Sequence, residues 1–164
     1  KRIAEKRCIE VGEQSGFSAL IARCFAFVGP YLSLDAHFAI GNFIRDCLAN
    51  RPIIIQGDGT PLRSYLYSDD LVDWLFSVLK NGVHGRPYNL GSAESISIAD
   101  LAWCVRQCAQ TDNAIEIQGQ PVPGQAILRY VPNVDRIQRE LGVKQHIHLD
   151  KAIRLTLAWQ RANG

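Results

Sequence analysis

The chain has 164 residues, 47% hydrophobic and 21% charged, with a formal net charge of +2. That composition supports an ordered core and excludes wholesale disorder, while near-balanced, scattered charge excludes a nucleic-acid binder. No apolar run reaches the roughly 18 residues of a membrane span, and the opening KRIAEKRCIEVGEQ is charged and helical in pattern, unlike a secretory signal.

Residues 1–14 read as a helix with Ala4, Cys8 and Val11 on one face, ended by Gly16. FSALIARCFAFV, residues 17–28, is nearly continuous apolar sequence between glycine and Gly29-Pro30, the pattern of a strand buried on both faces. Residues 36–49 predict a helix with Ile40, Phe43, Ile44, Cys47 and Leu48 as its apolar stripe. PIIIQ is a β-branched strand, and RSYLY alternates like another. Ser68 is expected to cap the next helix, with Asp69 and Asp70 in the first turn, where the helix dipole favours acids. Leu71, Trp74, Leu75, Val78 and Leu79 form that helix's expected buried side. PYNLG reads as a strand. Ser97 with Asp100 makes a capping-box pattern before Leu101, Val105 and Cys108. Strand-like AIEIQ, the loop GQPVPGQ, and helices near 133–141 and 150–162 complete the chain. Strands alternate with helices throughout, so the class is α/β.

The five cysteines, Cys8, Cys24, Cys47, Cys104 and Cys108, are an odd count in a chain able to bury a core. This favours reduced thiols and a cytoplasmic location over a disulfide framework. Cys104 and Cys108 share a helical face, but no matching pair lies near in sequence, so core packing is expected and not a metal. His146 and His148 in HIH are expected on a polar loop or strand rim. No glycine-rich phosphate loop follows any strand, and no serine elbow or metal-ligand cluster is present. By motif alone this is an α/β domain without an identified reaction.

Several stretches read together change that. KRIAE, ARCFAFVGP, GDGTPLRSYLYSDDLV, YNLGS, SIADLA and DRIQRELG occur in this order. Together they resemble the C-terminal half of extended short-chain dehydrogenase/reductases, and more narrowly the NAD-dependent nucleotide-sugar epimerases, dehydratases and decarboxylases. The resemblance implies the last Rossmann-sheet strands and helices plus the small α/β substrate-binding domain. Residues 1–30 would end the NAD-binding domain. Residues 31–164 would be the nucleotide-sugar-binding region, with some segments returning to the Rossmann domain.

In that family a catalytic tyrosine stands four positions before a lysine. KRIAE matches from the lysine onward, so the resemblance implies that Lys1 is the active-site lysine and that the tyrosine lies upstream. Such a lysine lowers the tyrosine pKa, letting a phenol near 10 act as a base around neutrality, and holds the nicotinamide ribose. The plain alternative is an exposed terminal lysine. The same resemblance implies a missing N-terminal half that carries the glycine-rich NAD loop, and a 164-residue chain without turnover of its own.

A nucleotide sugar carries a diphosphate, and arginine suits it because its planar fork donates two parallel hydrogen bonds and stays charged. The resemblance gives this role to Arg63, which follows the tight turn GDGTPL; the alternative is a surface arginine paired with Asp58 or Asp69. Arg129, beside Tyr130, matches a second clamp, although PVPGQ lacks the arginine many relatives carry before Pro-Gly. Asn89 in YNLG matches an asparagine near the nucleotide, or is a strand-end turn residue. Ile54 and Gln56 would present backbone and amide groups to the base, and His37 would begin a helix packed over it. Relatives frequently have asparagine where Ala26 stands, and alanine cannot donate that bond. The backbone from Cys24 to Ala26 could still meet the nicotinamide carboxamide, and Tyr31 would line the same cleft.

The activity implied is NAD-dependent conversion of a nucleotide-diphosphate sugar through a 4-keto intermediate. The alternatives are a nucleotide-sugar ketoreductase of the same fold and a non-catalytic nucleotide-sugar-binding module. The first helix resembles one that forms a four-helix dimer interface, which implies a homodimer. No nucleic acid and no membrane partner is expected.

Overall fold

The computed structural model describes residues 1–36 and 38–163. Helix α1 (Arg2–Ser15) is closed by Gly16 in the left-handed region at φ 75°, a conformation that costs glycine nothing. There follow β1 (Ile21–Cys24), β2 (Phe27–Val28), α2 (Ala39–Leu48), β3 (Ile53–Ile55), β4 (Leu62–Arg63), β5 (Leu66–Tyr67) and α3 (Ser68–Asn81). Next come β6 (Pro87–Leu90), β7 (Ile96–Ser97), α4 (Ile98–Ala109), β8 (Ile115–Ile117), β9 (Arg129–Tyr130), α5 (Asp135–Leu141) and α6 (Leu149–Asn163).

The pairing is mostly parallel. β1 pairs with β6, placing Arg23 opposite Asn89 and Cys24 opposite Leu90. β2 pairs with β5, and β3 with β8. β4 lies between antiparallel β7 and parallel β9, with Arg63 opposite Tyr130. Helical crossovers between parallel neighbours give the expected α/β class.

Two cores hold this together. The larger joins Ile40, Phe43 and Ile44 of α2, Ile53 and Ile55 of β3, Leu101 and Val105 of α4, and Ile153 and Leu157 of α6. The smaller gathers Leu66, Trp74, Val78, Tyr88, Leu90 and Ile137. Each fully buried aliphatic side chain contributes about 1.5–3 kcal/mol of transfer free energy. Trp74 buries its ring and still satisfies its N–H, which donates to the Lys144 carbonyl at 3.0 Å.

The predicted capping box is present: the Ser97 hydroxyl accepts from the Asp100 amide at 3.0 Å and begins α4. Five expectations need correction. Residues 17–28 do not form one strand buried on both faces. The chain breaks at Phe25 and Ala26, where Phe25 N–H bonds Leu90 and the Ala26 carbonyl receives Leu66, so it changes partner there. In β1 only Ile21 is buried. RSYLY is likewise two short strands in different sheets, and Ser64, Tyr65, Leu66 and Tyr67 are all buried instead of alternating.

Ser68 is the first residue of α3 and not its cap; Tyr67 takes that position without a side-chain bond. Asp70 is buried and serves elsewhere: its carboxylate accepts from the backbone N–H groups of His146 and Ile147 at 3.0–3.2 Å. On α3, Trp74 and Val78 are buried as expected, but Leu75 and Leu79 are exposed, as are Val72 and Phe76. On α1, Ala4 and Cys8 are exposed, and Gly12 is the buried residue.

Candidate functional site

The turn that precedes Arg63 is built by short-range chemistry. The Asp58 carboxylate accepts from the Thr60 amide at 3.0 Å and from the Thr60 hydroxyl at 2.9 Å, an Asx-type closure. Gly59 has φ 77°, and a Cβ there would stand 2.9 Å from the Ala99 Cβ. Only glycine meets both demands. The amides of Ile98 and Ala99, at the start of α4, donate to the Pro61 and Gly59 carbonyls. The turn is thereby fixed to a helix, and β4 leaves it carrying Arg63.

Asp58 is occupied by Thr60, so it does not pair with Arg63. Among the described residues no carboxylate lies within ion-pair distance of Arg63. Its Nη1 donates only to the Leu62 carbonyl at 2.9 Å. The guanidinium is therefore a half-buried cation with most of its donors free. Burial pushes the phenol of nearby Tyr65 up to about 12, against the pull of the Arg63 charge.

Arg63 lines a cleft of about 590 Å³ together with Ile54 and Gln56, a volume in the range of small-ligand sites. The same cleft is lined by Asn42 and Arg45 from α2 and by Gln118 from the end of β8. The Gln118 amide donates to the Ile55 carbonyl at 2.9 Å, which holds it beside β3. Sequence reasoning did not name these three. Asn42 and Arg45 sit at the polar edge of an otherwise apolar stripe, which is a weak signal. Gln118 carries no signal until β3 and β8 are known to pair.

A second cleft, of about 580 Å³, lies between α1 and β1 and is lined by Lys1, Cys24, Phe25 and Tyr130. Lys1 and Cys24 are therefore brought together, apart from the Arg63 group. Tyr130 connects the two regions. It stands opposite Arg63 in the β4–β9 register, and its ring lies 5.0 Å from that of Phe25.

Other expected positions fall elsewhere. Asn89 lines a third, polar cleft with Arg23, Asn133 and Arg136, and its amide donates to the Asn133 carbonyl at 2.9 Å. Arg129 is exposed on β9, opposite Leu62. Ala26 is half-buried, with its carbonyl committed to Leu66. The Tyr31 ring meets that of Trp159 of α6 in a tilted arrangement, ring centroids 4.5 Å apart. His37 lies outside the described residues.

The remaining candidates are structural. All five cysteines are free thiols. Desolvation pushes the Cys104 thiol up to about 12, with Cys108 beside it adding to the shift. Among the described residues no group of His, Cys, Asp or Glu is arranged to hold a metal ion. His146 lies in a loop, and the His148 ring meets Glu94 at 2.7 Å.

A family model described as the NAD dependent epimerase/dehydratase family matches residues 1–91, more than half of the chain. The chain belongs to this family. Among its relatives is UDP-glucuronic acid decarboxylase 1 of Arabidopsis thaliana, 28% identical over 153 residues, which cover 93% of this chain and 34% of the relative. The fold of this epimerase/dehydratase chain matches UDP-glucose 4-epimerase of Thermotoga maritima, solved with UDP-glucose, at a TM-score of 0.85 and 19% identity over 99% of this chain and 52% of that one. It also matches WbmF of Bordetella bronchiseptica, solved with NAD+ and UDP, at a TM-score of 0.84 and 23% identity over 97% of this chain and 50% of that one. The chain thus spans about a third of the decarboxylase and about half of these solved structures. Its α/β architecture is a partial short-chain dehydrogenase/reductase fold. No helix among the described residues is long and apolar enough to cross a membrane.

Proposed function

We propose that this chain is the substrate-binding half of an NAD-dependent nucleotide-sugar epimerase/dehydratase acting through a 4-keto sugar. The observation that carries the reading is Arg63: a fixed guanidinium without an acidic partner among the described residues, in a cleft of about 590 Å³ with Ile54 and Gln56. A half-buried unpaired cation is costly unless an anion completes it. A diphosphate offers the parallel acceptors that the guanidinium fork matches.

In this reading Arg63 grips the diphosphate, with Arg129 as a second cation. Ile54, Gln56 and Gln118 face the base. The nucleotide is a remote handle whose binding energy orients the sugar. Residues 1–30 end the NAD-binding domain and the rest holds the substrate. The pairing of β1 with β6 supports the return of residues 87–90 to that domain.

The cleft at Lys1, Cys24, Phe25 and Tyr130 also carries Arg2, Glu5 and Arg23; its apolar part, with the Lys1 ammonium beside it, fits a nicotinamide and its ribose. No glycine-rich loop in these 164 residues could hold the dinucleotide's phosphates, so that part of the fit belongs to an N-terminal half. NAD, when bound, supplies reversible hydride acceptance, which makes a 4-keto sugar accessible. Lys1 holds the ribose and lowers the pKa of the upstream tyrosine. Cys24 and Ala26 offer backbone groups to the carboxamide. The 164-residue chain alone has no turnover. The whole enzyme is a homodimer, and the exposed Ile3, Ala4 and Cys8 of α1 support an interface there.

The test is calorimetric titration of the full-length enzyme with UDP-, dTDP-, GDP- and CDP-sugars. One of them is expected to bind, and Arg63→Ala to weaken it by about 1.5–3 kcal/mol, the loss of charged hydrogen bonds. An unchanged dissociation constant in the variant overturns the diphosphate role.

A further inference from the structure

Within this chain α1 is held along Ile9–Gly12 and again near its start. Toward its C-terminal end Gly12 is buried, and a Cβ there would stand 2.8 Å from the Phe17 carbonyl oxygen and 3.2 Å from the His84 ring. Near its start, Glu5 is half-buried while the other residues from 1 to 8 are exposed. The Glu5 carboxylate receives two hydrogen bonds from Arg23 of β1, from Nε at 2.8 Å and Nη2 at 2.6 Å. This is the paired planar geometry that fixes direction as well as distance. The bond from Arg23 holds the Glu5 carboxyl below its ordinary value, and the same bond raises the guanidinium.

Lys1 is one turn upstream, and its carbonyl accepts the Glu5 amide at 3.0 Å. Lys1, Glu5 and Arg23 line one cleft. Arg2 lines the same cleft, and Arg23 borders the polar cleft that holds Asp135, Arg136 and Arg139. From Gly12 to Lys1 the helix runs roughly 16 Å at 1.5 Å per residue. A swing of about 10° at the Gly12 neck therefore moves the Lys1 backbone by roughly 3 Å, and misplacements of about 1 Å cost on the order of 100-fold in rate.

We propose that the Glu5–Arg23 pair is a clamp that positions Lys1. Its role is positioning: it sets the angle of the first helical turns. The inference rests on the assignment of Lys1 made above. Beyond that assignment, it specifies what keeps the ammonium in place.

In the full-length enzyme, E5Q and R23Q are each expected to lower kcat about tenfold with KM for the nucleotide sugar within about twofold. The acid limb of the kcat profile should move up by about one pH unit, because an ammonium no longer held beside the tyrosine lowers its pKa less. The double variant should be no worse than either single one, since both remove the same contact. In the 164-residue chain, amide exchange over residues 2–8 should quicken at least about tenfold in E5Q while α4 exchange is unchanged. If Lys1→Met abolishes turnover but E5Q keeps the native kcat and pH profile, the clamp is overturned. If exchange quickens with no change in the profile, or does not quicken, it is also overturned. If Lys1→Met turns over normally, the Lys1 assignment falls, and the clamp with it.

Discussion

The Gly57–Thr60 turn offers a sharp internal control, because its two glycines face different surroundings. At Gly59 an alanine must adopt φ 77° and place its Cβ 2.9 Å from the Ala99 Cβ. The left-handed conformation costs an alanine about 1–2 kcal/mol, and overpacking adds about 1–3 kcal/mol. Reduced freedom of the unfolded chain returns about 0.4–1 kcal/mol. The net loss is therefore about 1–4.5 kcal/mol. At about 2–4 °C per kcal/mol for a domain of this size, Gly59→Ala should melt roughly 2–18 °C lower. At Gly57 nothing lies within 4 Å of an added Cβ, and its φ is outside the positive region. Gly57→Ala should stay within about 1 kcal/mol of the native chain. Calorimetry and urea titration of both variants decide the matter. Adding Ala99→Gly to Gly59→Ala should recover the packing part and leave the backbone part. Equal melting temperatures for the two single variants would refute the argument, since burial and backbone angle would then not be what fixes the turn. Under the proposed function, the loss should also appear in nucleotide-sugar affinity, because β4 leaves this turn carrying Arg63.

Other outcomes follow from the same reasoning. Arg63→Lys should recover only part of the affinity lost in Arg63→Ala, because an ammonium keeps the charge and loses the fork; full recovery on titration would show that charge alone suffices. Asp70→Asn should destabilise the chain by about 2–4 kcal/mol, because the amide turns a donor toward the His146 and Ile147 N–H groups; a change under about 0.5 kcal/mol in urea unfolding would contradict that. Iodoacetamide at pH 8 should label exposed Cys8 well before Cys104, whose thiol burial pushes up to about 12, as peptide mass mapping would show. The thiol is held neutral in the fold, so its contribution is full below the ordinary value of 9.0 and is lost as pH rises from there toward about 12. Stability should therefore decline over that window in pH-resolved melting and not on the acid side.

Elements whose signal is local were legible in the sequence. The β-branched run at Ile53–Ile55, the Ser97–Asp100 capping box and the Gly16 stop of α1 each rest on a few adjacent residues and stand where the pattern placed them. What failed depends on distant partners. Residues 17–28 look like one strand because apolar runs do not announce that Ala26 must accept from Leu66 after Cys24 has paired with Leu90. Leu75 and Leu79 share a helical stripe with Trp74 and Val78, yet periodicity alone cannot say how wide a face the rest of the chain covers. Asp70 reads as a first-turn acid, and nothing nearby reveals that its partners lie 76 residues away. At the candidate site, Ile54, Gln56 and Arg63 came from the family resemblance, and the structure brings all three to one cleft. Asn42 and Gln118 were not legible, because they join the cleft only through tertiary packing.

The partner change at Phe25 and Ala26 also bears on how two clefts could serve one reaction. Before the break the chain runs beside β6 and carries Cys24 toward Lys1; after it, the chain runs beside β5, which directly follows β4 and Arg63. Phe25 sits at the break, within ring contact of Tyr130, and Tyr130 is the register partner of Arg63. Under the proposed function, the nucleotide lies with Arg63 and the nicotinamide with Lys1, so the sugar must pass between them by this aromatic pair. Removing the Tyr130 ring while leaving Arg63 and Lys1 in place should then lower kcat more than it weakens nucleotide affinity. Tyr130→Ala with unchanged kcat, or with an effect confined to nucleotide affinity, would place the sugar elsewhere.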